Sequence, residues 1–78
     1  MIKVKISKAI AFEYEARGVY DFIGKAGTYK LTKEQVIELI EDSIFQCLYV
    51  NNPSGTARAY DSLFNNLHVA AIYKQVRI

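Results

Sequence analysis

Thr32–Leu48, TKEQVIELIEDSIFQCL, is the stretch whose reading decides the fold. At 3.6 residues per turn, Val36, Ile40 and Cys47, flanked by Ile37, Leu39 and Ile44, gather on one side. Glu34, Glu38, Glu41 and Asp42 gather on the other. Thr32 stands at an N-cap position, and Gln35 three residues later completes a capping-box pattern. The stretch therefore reads as an amphipathic helix that needs other segments to cover its apolar side. Cys47, on that side, reads as core and not as a reactive thiol.

The segments around it are read as the walls of that core. Ile2, Val4 and Ile6 alternate with Lys3, Lys5 and Ser7, the period of a strand with one wet face. From residue 8 to residue 23 two periods compete. Alternation puts Ile10, Phe12, Tyr14 and Ala16 together. Helical spacing gathers Ala9, Phe12, Ala16, Val19, Tyr20 and Ile23, with Ser7 as cap and Gly24 as stop. Alanines and glutamates favour the helix. GKAGTYKL, 24–31, reads as a connecting loop. Its two glycines and lysine lack the remaining elements of a phosphate loop.

Asn51-Asn52-Pro53-Ser54-Gly55 ends the acidic helix. Ser54 or Thr56 then caps a third helix, TARAYDSLFNNL, with Tyr60, Leu63, Phe64 and Leu67 facing inward. The tail AAIYKQVRI reads as a closing strand beside the first one, with an extension of the third helix to about Gln75 as the competing reading. The expected fold is one small α+β domain over residues 1–78, approximately β-α-α-α-β, its terminal strands paired antiparallel. A β-hairpin within 19–31 and a mostly helical chain are the alternatives. Its core joins Ile2, Val4 and Ile6 to Phe12, Val36, Ile40, Cys47, Tyr60, Phe64 and Leu67.

Length and composition bound the function. A chain of 78 residues has room for one core. Apolar residues are 51% of it, enough to leave some apolar surface for an interface. One cysteine excludes an internal disulfide and a thiol-rich metal site. No apolar run approaches the roughly 18 residues that cross a bilayer, and no secretory leader opens the sequence, so a cytoplasmic setting is the expectation. The net charge of +2 is unevenly spread: +3 over residues 1–31, −3 over 32–50 and +2 over 51–78.

Catalysis needs a positioned base beside a nucleophile, or convergent acids. His68 has no motif around it, and the four acids of the central helix form a solvated stripe, so neither an enzyme nor a cofactor is expected. A protein interface fits better. Phe45 falls about 180° from Val36, in the middle of the acidic stripe, and Tyr49 falls beside it. A ring among carboxylates is an apolar anchor with a charged rim, suited to a partner with a basic surface. The expected partner-binding residues are thus Glu34, Glu38, Glu41, Asp42, Phe45 and Tyr49. A homodimer through this face is less attractive, because like charges would meet. By size and charge the chain is of a kind with phage-type inhibitors or adaptors that act on host nucleic-acid machinery, although no motif accompanies that association. The alternative function is a small DNA- or RNA-binding domain built on the helix-turn-helix-like segment 32–67, using Lys3, Lys5, Lys8, Arg58 and Arg77.

Overall fold

The computed structural model of the protein describes residues 1–67. They form β1 (Ile2–Ile6), α1 (Lys8–Arg17), β2 (Gly27–Leu31), α2 (Lys33–Leu48) and α3 (Ser54–Leu67). This is a small α+β domain, with three helices against an antiparallel pair of strands. The tail, read above as a closing strand or a longer third helix, lies outside the described residues, as do His68 and Arg77.

β1 buries Ile2, Val4 and Ile6 and exposes the residues between them, as its alternation requires. Its partner is β2, in the order β1-β2. The loop reading of 24–31 is therefore corrected: Gly27–Leu31 is a strand. Ile2 stands opposite Leu31, Val4 opposite Tyr29, and Ile6 opposite Gly27, so the inward side chains of the two strands share one face. Thr28 and Tyr29 are good strand formers, and the glycines confine the turn to the residues just before them. The Tyr29 hydroxyl holds that turn by accepting from the Gly24 N–H at 2.9 Å and donating to the Lys25 carbonyl.

α1 starts where expected, with the Ser7 side chain accepting from the Ile10 N–H. It stops earlier than expected, at Gly18 and not Gly24. Gly18 adopts φ +67°, the left-handed conformation that glycine takes without a Cβ penalty, and its N–H returns to the Glu15 carbonyl. The early stop changes which residues face inward. Ile10 and Tyr14 are buried, whereas Phe12, expected in the core, is 66% exposed. The stripe through Ala9, Phe12, Ala16, Val19 and Ile23 required a helix continuing past Gly18. Instead, Ile23 reaches the core from the loop, and Val19 and Tyr20 pack half-buried against it.

α2 carries the full capping box: Gln35 N–H donates to Thr32 Oγ1 at 3.1 Å, and Thr32 N–H donates to Gln35 Oε1 at 2.9 Å. Val36, Leu39, Ile40, Ser43 and Gln46 are its buried residues. Polar Ser43 is accommodated by donating to the Leu39 carbonyl, and Gln46 accepts from the Asn52 side chain. α3 begins at Ser54 itself, two residues before the segment expected, and buries Tyr60, Leu63 and Leu67, with Phe64 half-buried beside them. It packs on α2, α1 and β1, which places it at the centre of the domain.

Candidate functional site

The outer face of α2 changes character along its length. Glu34, Glu38 and Glu41 are exposed in its first two-thirds. Its last two turns expose Ile44, Phe45, Leu48 and Tyr49, the last two at 69% and 73%. These four stand at positions i, i+1, i+4 and i+5 and so form one contiguous patch on the helix surface. Phe45 is 53% exposed, and its ring lies 5.6 Å from that of Tyr49, tilted by 37°. The aromatic pair anticipated from the sequence is thus open to solvent and paired.

Two apolar residues of α2 had been assigned inward and are not. Ile44 is exposed and extends the patch, and Cys47 is also exposed. The helix is 16 residues long, and Cys47 sits in its last turn with little of the core left above it. The Cys47 thiol is pushed upward by partial burial and by the Asp61 carboxylate, opposite to what an activated thiolate needs. Leu48 belongs to the patch but was not among the residues anticipated. Its position three residues after Phe45 was the available signal.

Asp42 departs from the acidic set. Its carboxylate receives both ends of the Arg17 guanidinium, at 2.6 and 3.0 Å, and its side chain is only 9% exposed. The same guanidinium donates to the Tyr60 hydroxyl at 2.8 Å and sits 6.0 Å from the Tyr14 and Tyr60 ring centres. These bonds to Asp42 raise the Arg17 pKa above the ordinary arginine value, so the charge is permanent. Asp42 is consumed in joining α1, α2 and α3, and the exposed carboxylates that remain on the outer face are Glu34, Glu38 and Glu41. The hydroxyl of Tyr14, buried beside this cluster, has no hydrogen-bond partner among the described residues.

The basic residues fall on the sheet and on α3. Lys3, Lys5 and Lys8 are all exposed. In the β1–β2 register Lys3 stands directly opposite Lys30, with Lys5 two residues along the same outer face. Lys5 also borders a depression shared with Arg58 of α3, whereas Lys3 and Lys8 do not line it. Lys30 was not singled out from the sequence, because its segment was read as loop and so had no face. Among the described residues no group of three or more His, Cys, Asp or Glu side chains could hold a metal ion, and no helix is long and apolar enough to cross a membrane.

No protein-family model matches this chain, and neither a curated protein nor a solved structure matches it.

Proposed function

We propose that the protein is a non-enzymatic protein-binding module that engages its partner through the outer face of α2. The observation that carries this reading is the patch of Ile44, Phe45, Leu48 and Tyr49, four large apolar side chains left open on one helix. Helix-in-groove recognition uses such i and i+4 anchors. The exposed carboxylates of Glu34, Glu38 and Glu41 along the same helix select the partner's chemistry: an apolar groove bordered by lysine or arginine. A surface of that kind occurs on nucleic-acid-handling proteins, which makes an inhibitor or adaptor of such a protein the role in view.

The test compares three tagged forms of the chain in host lysate: wild type, Phe45→Ala, and the double reversal Glu38→Lys/Glu41→Lys. Wild type retains a defined protein that elutes with salt. Phe45→Ala weakens that complex by about 1–3 kcal/mol, the cost of truncating an aromatic anchor, with little change in unfolding temperature. The double reversal abolishes retention. Retention by the charge-reversed form removes the basic partner. Loss of a self-associated species on gel filtration of Phe45→Ala assigns the face to a second copy instead. A sharp fall in the unfolding temperature of Phe45→Ala makes the ring part of the core and withdraws the interface.

A further inference from the structure

We propose that the depression between β1, the start of α1 and one face of α3 binds a phosphate-bearing small molecule, with Lys5 and Arg58 holding the phosphate. The depression has a volume of about 310 Å³, at the small end for a ligand site. Its α3 wall is Gly55, Arg58, Ala59, Ser62, Leu63 and Asn66, which recur at i, i+3, i+4, i+7, i+8 and i+11 and so make one continuous face. Gly55, Ala59 and Ser62 run along the middle of that face. Their side chains end at or before the first γ atom, which leaves space that longer residues would fill. Gly55 has nothing within 4 Å of where a Cβ would stand.

Charge identifies the occupant. Lys5, from β1, and Arg58, from α3, both line the space, and among the described residues no carboxylate does. The ion pair formed among the described residues joins Arg17 to Asp42, so neither of these cations is committed elsewhere in that part of the chain. The nearest acid on α3, Asp61, stands on the adjoining face, with Asn65 3.5 Å from its carboxylate. Lys3 and Lys30 face one another across the sheet beside Lys5, an arrangement of like charges that costs stability. They add to the positive charge on the sheet face that carries Lys5. Arginine offers a planar fork and lysine a point charge, a combination suited to a dianionic phosphate more than to a single carboxylate. The Ser62 hydroxyl and Asn66 amide supply further polar contacts on the same wall.

The floor decides between a small ligand and a polyanion. Ile10, Ala59 and Leu63 make it apolar, which suits a phosphate carried on an apolar body. Among the described residues no aromatic side chain lines the site, so they offer no stacking platform of the kind that holds single-stranded nucleic acid.

The experiment is a nuclear magnetic resonance titration of the amide resonances with phenyl phosphate, inorganic phosphate and a ten-residue oligothymidylate. Phenyl phosphate shifts the amides of Ala9, Gly55, Ala59 and Ser62 saturably. Inorganic phosphate shifts the same amides more weakly. Lys5→Gln and Arg58→Gln each weaken phenyl phosphate by about tenfold, the effect of removing one charge-assisted hydrogen bond. Ser62→Leu, which removes no charge and fills the space, weakens it at least as much and serves where a charge variant loses its fold. Shifts spread evenly over Lys25, Lys30 and Lys33, or unaltered by all three substitutions, reduce the effect to general screening and overturn the proposal. A response confined to the oligothymidylate overturns it as well, and assigns the cations to nucleic acid.

Discussion

At the scale of single residues, the cluster of Arg17, Asp42, Tyr60 and Tyr14 separates a satisfied buried group from an unsatisfied one. Arg17 satisfies Asp42 and Tyr60, and removing it takes the guanidinium away from a carboxylate whose side chain is only 9% exposed. Arg17→Met is therefore expected to cost about 2–3 kcal/mol, after allowance for the partial exposure of the arginine. The Tyr14 hydroxyl satisfies nothing, so Tyr14→Phe is expected to be neutral or stabilising by about 1 kcal/mol. Urea denaturation of the two variants checks both; an equal loss in each would mean that the hydroxyl has a partner after all. Alkaline titration reads the same atoms. Burial raises the Tyr14 pKa, and also those of Tyr20 and Tyr60, while unfolded phenols ionise near pH 10. The folded state holds its protons more tightly, so this contribution is complete below about pH 10 and is lost as pH rises from there. Tyr14→Phe is expected to flatten the decline in urea midpoint above about pH 10, and an unchanged slope would contradict it. None of this was legible in the sequence, because Arg17 and Asp42 lie 25 residues apart and no local period relates them.

At the scale of elements, the sequence was most readable where capping chemistry is local. Thr32, Gln35 and Ser7 announced two helix starts correctly. The stops were harder. Gly18 and Gly24 both fit a helix end, and the choice depended on whether Val19, Tyr20 and Ile23 reach the core from a helix or from a loop. β2 was read as loop, with a hairpin inside 19–31 only as an alternative, for a related reason: a five-residue strand is recognisable mainly through its partner, and that partner is the distant β1. The patch on α2 was half legible. Phe45 and Tyr49 could be placed by angle alone, whereas Ile44 and Cys47 required knowing where the core ends along the helix. Two glycines give a test of opposite signs. Gly18→Ala forces a side chain into φ +67° and is expected to cost about 1 kcal/mol. Gly55 lies in the first turn of α3 without a positive φ and with open space around it, so Gly55→Ala is expected to gain about 0.5 kcal/mol. Thermal unfolding of the pair decides; a gain at Gly18 would mean that α1 does not end there.

At the scale of the whole molecule, the charges do two different things in two places. The Arg17–Asp42 pair is short and mostly shielded from solvent, so added salt screens it little. The outer sheet face is the reverse: Lys3 opposes Lys30 with Lys5 adjacent, all exposed, and repulsion there is screened as ions are added. Between about 20 and 200 mM sodium chloride the urea midpoint is therefore expected to rise, by a few tenths of a kcal/mol in stability. Lys30→Thr, which removes one member of the opposed pair and suits a strand, is expected to abolish most of that rise. Phenyl phosphate binding at Lys5 and Arg58 moves the other way and weakens over the same salt range, since there the screened interaction is attractive. A protein stabilised by salt that loses its anion ligand to the same salt carries its excess positive charge on the sheet and groove, unpaired by the acids of α2. A midpoint that falls with salt would mean that attraction between those acids and the basic side dominates. The two faces would then not be electrostatically independent surfaces.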